Sequence, residues 1–172
     1  MASLDPVQIG SMPGSVDEFV RMRDGIAGDP QGGAAAAVVA LQLLAENKEL
    51  GLQCLAAAVD ASGLEDGGCQ GLKLRSSNSR LAVSQILGNP HIPRSYFKGA
   101  SPENGYELAG PPYQIEFSAN KYSGDPGSGT YKLFVSCSGA ASPRPVTVRK
   151  DGAGVWRALE WSSLLVGVQA PE

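Results

Sequence analysis

The side chains best placed to do chemistry gather in the second half of the chain. They are Glu103, Asn104 and Tyr106 in the stretch SYFKGASPENGY, Arg144 between two prolines, and Glu160, Trp161 and Ser162 near the end. Pro143 and Pro145 fix the φ angles on either side of Arg144, so its guanidinium is presented from a stiff backbone. Such presentation suits an anion clamp, with Glu160 or Glu103 as an acid or base beside it. It suits equally a structural bond to Glu160 or to open carbonyls at strand ends. A small-ligand site at Glu103, Asn104, Tyr106, Arg144, Glu160 and Trp161 is therefore one expectation. Trp156 and Trp161 are five apart, so in an unbroken strand they face opposite sides, one toward the core and one toward a groove.

Other chemistries lack their residues. GDPGSGTYK has the G-x-x-x-x-G spacing of a phosphate loop, but Thr130 and Tyr131 stand where a lysine and a hydroxyl residue must follow, leaving a hairpin turn as the reading. His91 is the single histidine, set in NPHIP, which excludes multi-histidine zinc sites and favours a surface or packing role. No G-x-S-x-G elbow, C-x-x-C pair or acidic metal loop occurs, so no cofactor and no metal is expected. Glu46 with Glu49, and Glu65 with Asp66, read as solvated faces and turn chemistry. Cys54, Cys69 and Cys137 are odd in number and match no zinc or redox spacing, which fits structural thiols in a reducing cytosol.

Charge narrows the partners. The net charge is −3, with 6 basic and 10 acidic residues in 1–89 and 8 and 7 in 90–172, so neither half carries the clustered cations that phosphate neutralisation needs. Arg144, Arg149, Lys150 and Arg157 come nearest to a patch; Asp151 dilutes it, and a solvated strand face is expected. The longest apolar run, AAAAVVALQLLA, falls short of the roughly 20 residues a spanning helix needs, and Gln42 interrupts it. The start, MASLDPVQIG, has neither a basic lead nor an apolar h-region, so the expectation is a cytoplasmic protein without a membrane span.

These side chains need elements to hold them. Residues 1–14, with Pro6, Pro13 and no periodicity, read as a flexible arm. Ser15 and Glu18 form an S-x-x-E capping box that opens a helix with Val16, Phe19, Val20 and Ile26 on one stripe and Gly28 as its stop. Asp29-Pro30 starts a second helix, running to about Glu49 through the alanine tract, whose small side chains imply close helix approach. A third, near 50–59, either continues it or doubles back at Gly51. The glycine- and serine-rich stretch 62–79 reads as a loop with at most a short strand near Leu72 and Leu74, and a fourth helix covers about 79–87.

Past residue 110 the period changes to two: Tyr113, Ile115 and Phe117; Tyr131, Leu133, Val135 and Cys137; Val146 and Val148; then 155–161. The turns GDPGSG and DGAG join these as a meander. The expected fold is α+β: one domain over 15–172, with three to four helices (15–89) packed on a curved antiparallel sheet of about four strands (107–168).

The stretches SYFKGASPENGY, GAASPRPVTVRK and VWRALEWSSLLVGVQAPE resemble a bacterial family catalogued as a domain of unknown function. Its members carry S-Y-F-x-G-x-[ST]-P-E-N-x-Y, G-A-x-S-P-R-P and W-x-x-x-E-[WY]-S-S-L-L-x-G-[VI] segments, which fall here at 95–106, 139–145 and 156–168. The resemblance covers about the last 80 residues and supplies no activity. From its own residues, 95–106 reads as the connector that swings the chain from helices to sheet, anchored by Tyr96 and Phe97 and turned at Ser101 to Gly105. The element order is similar to a nuclear-transport-factor-2-like cone, an analogy of fold only. The functional expectation is a non-catalytic interaction or structural module with a protein partner or self-association. A small-ligand pocket or modest enzyme at Arg144 is the alternative, and an immunity or accessory factor to a secreted effector is a third.

Overall fold

The computed structural model describes residues 1–68 and 71–172. Four helices and a mostly antiparallel sheet give the α+β fold expected from the two periodicities. Helix α1 (Val16–Ile26) is capped by Ser15, whose Oγ accepts from the Glu18 amide at 3.2 Å. The reciprocal bond lies one residue earlier than the capping box requires, from the Gly14 amide to Glu18 Oε2 at 2.6 Å.

Helix α2 (Pro30–Glu46) starts at the expected proline and is the centre of the molecule, buried from Gly32 to Leu44. A helix apolar all round must be enclosed, and here α1, α3, α4 and the sheet surround it. It ends at Asn47, short of the expected Glu49. Asn47 takes an extended conformation, and its side chain caps α3 (Lys48–Ala58) by accepting from the Leu50 amide. The chain therefore doubles back at Asn47, and Gly51 serves packing: a Cβ there would overlap the Leu44 backbone. Gly33 likewise lets α2 approach Trp156, whose carbonyl oxygen would lie 2.8 Å from an added Cβ. The close approach implied by the alanine tract is thus achieved.

Two expectations on the first half change. Residues 1–14, read as an arm, contain β1 (Ala2–Ser3) and β2 (Val7–Ile9), each paired antiparallel with a later strand, and Ile9 is buried. Strands of two and three residues are too short to leave a visible alternation. The loop over 62–79 holds a hairpin, β3 (Leu64–Asp66) with β4 (Leu72–Leu74), and α4 (Ser76–Gly88) begins three residues before Ser79.

The run from Tyr113 divides at Glu116. β5 (Tyr113–Ile115) pairs with β2, while β6 (Phe117–Ala119) enters the main sheet. That sheet is β1-β6-β7-β8-β9, with β7 (Thr130–Val135), β8 (Arg144–Lys150) and β9 (Trp156–Glu160) forming the meander. It has five strands because β1 adds an edge beyond the expected four. Tyr131, Leu133, Val135, Val146, Val148 and Ala158 are buried and build the wall against α2. A register shift at Thr147 and Val148 marks a bulge between β8 and β9. The outer edge of β9 is covered by the end of α3, through a parallel bridge from Val59 to Ala158 and a bond from the Asp60 amide to the Ala158 carbonyl.

Candidate functional site

The space between the outer helices and the sheet is filled by α2, and Glu103, Asn104, Tyr106 and Arg144 gather at one end of the sheet, around the 95–106 connector. Tyr96 and Phe97 are buried there as anchors. The Ser95 carbonyl accepts from the Ser138 amide at 2.9 Å, and the Lys98 amide donates to the Gln114 carbonyl at 2.9 Å, so the connector is pinned to the ends of β7 and β5.

Asn104 builds the turn. Its Oδ1 accepts from the amides of Ser101 (3.0 Å) and Glu107 (3.2 Å), and its Nδ2 donates to the Gly99 carbonyl at 2.8 Å. The left-handed conformation falls on the next two residues, Gly105 (φ 68°) and Tyr106 (φ 58°). For a tyrosine this conformation is strained. Burial offsets it: Tyr106 is fully enclosed, stacks on the His91 ring with centroids 5.3 Å apart, and donates from its hydroxyl to the Gln169 carbonyl at 2.6 Å. Desolvation pushes the Tyr106 hydroxyl above the usual phenol range, with the charges of Cys137 and Glu103 adding to it.

Arg144 is directed at main chain. Its Nη2 donates to the Val166 carbonyl, and the guanidinium lies against Gly167, where a Cβ would collide with it. Among the described residues, the buried Arg144 Nε has no hydrogen-bond partner. Beneath lies Tyr96, whose hydroxyl donates to the Leu164 carbonyl at 2.9 Å; burial raises its pKa, Cys137 adds to the rise and Arg144 opposes it. Of the two structural partners open to Arg144, the carbonyl is the one taken. Glu160 is exposed at the bulge and accepts from Thr147 Oγ1 at 3.4 Å.

The six candidates therefore divide. Asn104, Tyr106 and Arg144 hold backbone; Glu103 is exposed beside them, its charge felt at Tyr106. Trp161 is buried, as is Trp156, because β9 ends at Glu160 and the break in the strand lets both indoles turn inward; Ser162 is exposed. His91 is the packing residue its setting suggested, with Nε2 3.5 Å from the Val168 carbonyl. Tyr96, Arg144, His91 and Tyr106 thus meet the carbonyls of Leu164, Val166, Val168 and Gln169 in turn, and two further bonds, from the Gln169 amide to Gly139 (2.8 Å) and from the Glu172 amide to Pro102 (3.0 Å), complete a strap.

A second polar cluster went unseen in the sequence. Asp60 receives both Nε (3.0 Å) and Nη2 of Arg149, and its Oδ2 also accepts the Ser62 hydroxyl at 2.6 Å. The hydrogen bonds from Arg149 and Ser62 outweigh the cost of burial and hold the carboxyl down to about 2. Arg157 pairs with Asp151 at 2.8 Å, and it shares the Ala57 carbonyl with Arg23, at 3.0 and 2.9 Å. Burial resists ionisation of Asp151, but the Arg157 bond and two amides outweigh it and lower its pKa. A cleft of about 320 Å³ opens beside these groups, between α1, α3 and β9. The residues read as a solvated face are thus engaged, and no local signal reveals it, since Asp60 and Arg149 are 89 positions apart.

Among the described residues no cluster of three or more metal-ligating side chains occurs, and no helix is long and apolar enough to cross a membrane. Cys54 is buried and Cys137 half-buried; Cys69 lies outside the described residues. Residues 11–172 match the model of the family described as Domain of unknown function (DUF6935), and the chain belongs to that family. No curated protein and no solved structure matches it.

Proposed function

We propose that this member of the DUF6935 family is a non-catalytic interaction or structural module. One observation carries the reading. The side chains richest in chemistry, Tyr96, Tyr106 and Arg144, donate to backbone carbonyls of Leu164, Gln169 and Val166, so their polar groups hold the chain's own main chain. A catalytic acid, base or nucleophile has to face a reacting group instead. The odd cysteine count, with no zinc or redox spacing, supports a reducing, cytoplasmic setting.

The test is light scattering on the purified chain together with affinity capture from cytoplasmic extract. A defined oligomer or a stoichiometric partner is the expected result. A strict monomer that captures nothing overturns the reading.

A further inference from the structure

Residues 166–172 form no helix or strand, and apart from half-buried Val168 they are exposed, yet their backbone is bound from three separate stretches of the chain, at His91, in 102–106 and in 139–144. The receiving surface is built for an extended segment. Gly139 has no room for a side chain: an added Cβ would collide with the Tyr106 hydroxyl and would stand 2.7 Å from Val168 Cγ1. That absence of a side chain makes the seat for Val168. Past this residue the surface offers a phenol donor at Gln169 and two carbonyl acceptors, Gly139 and Pro102, all aimed at main chain.

Recognition by main-chain bonds with one side-chain seat is how peptide grooves accept extended partners. We propose that the groove formed by His91, Tyr106, Gly139 and Pro102 is a binding site for an extended segment of a partner protein, occupied in this chain by its own residues 168–172. The partner segment carries a valine-like residue at the seat and, directly after it, a residue other than proline, because that amide must donate to Gly139. The strained Tyr106 backbone fixes the phenol where the guest carbonyl arrives. The cis strap acts as a competitor, and its release is a local opening that leaves the α2-centred core intact. This inference rests on the reading of the chain as an interaction module and assigns where that interaction takes place.

The experiment uses a fluorescein-labelled VGVQAPE peptide, the sequence of residues 166–172, titrated into the full chain and into its Val168→Asp variant and read by polarisation. Val168→Asp unseats the strap. The peptide is expected to bind the variant at least about tenfold more tightly than the unaltered chain, since a tethered competitor acts at roughly millimolar effective concentration. Adding Tyr106→Phe should weaken that binding by about threefold to tenfold, and an aspartate at the valine position of the peptide should abolish it. Equal binding to both proteins, or none to a folded variant, overturns the proposal.

Hydrogen exchange on the unaltered chain decides the matter where the variant does not fold. The Gln169 amide is expected to exchange at least about a hundredfold faster than the Leu133 and Val146 amides, through local opening. Equal protection would make the strap a permanent part of the core and sink the proposal. Failure of the peptide with partner capture unaffected by Val168→Asp removes the groove and leaves the module reading standing.

Discussion

Two clusters centred on arginine tie this molecule together by different physics. At one end of the sheet, Arg144 and its neighbours Tyr96 and Tyr106 donate to neutral carbonyls of a short 3-10 turn, Ser162–Leu165, and of the extended chain after it. Beside α3, Arg149 and Arg157 instead meet the carboxylates of Asp60 and Asp151 and close the helical layer onto β8 and β9. The first cluster satisfies main-chain carbonyls, of which that of buried Leu164 would otherwise lose its donor away from water. The second joins charges, Asp60 and Arg149 across 89 positions of chain and Asp151 and Arg157 across six, and its strength depends on proton and salt concentration. The same residue type thus serves as a fixed donor in one place and as an electrostatic clasp in the other.

Substitutions can break this contrast. Asp60→Asn has the largest expected effect, a loss of about 2 kcal/mol, because it removes the charge from a nearly buried partner while Arg149, close to half exposed, can rehydrate. Urea denaturation at neutral pH measures it. The charge also fixes a pH window. The Asp60 carboxyl falls from 3.8 to about 2 on folding, so its contribution is complete above about 4 and disappears as pH drops toward 2. A loss of about 1–2 kcal/mol across that window is expected in the unaltered chain and in Tyr96→Phe, smaller than the full linkage value because water screens Arg149. In Asp60→Asn that part should vanish. A variant that retains the full acid dependence would show that other carboxylates dominate.

Tyr96→Phe leaves the buried Leu164 carbonyl without its donor and should cost about 1–2 kcal/mol, independent of salt. Thermal melts at two ionic strengths would test this; a salt-dependent loss would place the two clusters in one class after all. The smallest effect is expected for Arg144→Lys, about 0.5–1 kcal/mol, because an ammonium can still reach the Val166 carbonyl but cannot spread over Gly167 as the planar guanidinium does. A loss as large as that of Asp60→Asn would mean that Arg144 carries more than this bond, and its buried Nε would be the place to look.

Much of the frame was legible in the sequence. Ser15 opens α1, Pro30 opens α2, and the alternation from Tyr131 to Val135 sets the face of β7, since each signal acts within a few residues. Asn47 was missed as a helix boundary because the alanine tract runs on into residues with good helix propensity, and only the cap shows the break. Strands β1 and β2 were missed for another reason: their partners, β6 and β5, lie more than a hundred residues later. Of the site, the turn made by Asn104 and Gly105 and the burial of Tyr96 and Phe97 could be read locally. That Arg144 chooses the Val166 carbonyl over Glu160 could not.

By itself, the sequence determined the class of fold, the start of the second helix and the side of each main strand that turns inward, because helix caps and hydrophobic periodicity are short-range properties of the chain. The tertiary structure alone decided which charges meet, that Asp60 is held by Arg149, and that three chemically rich segments close on residues 164–172. Hydrogen bonds and ion pairs form between atoms about 3 Å apart, and no local pattern encodes which distant residues the packing of α2 against the sheet will bring to that distance.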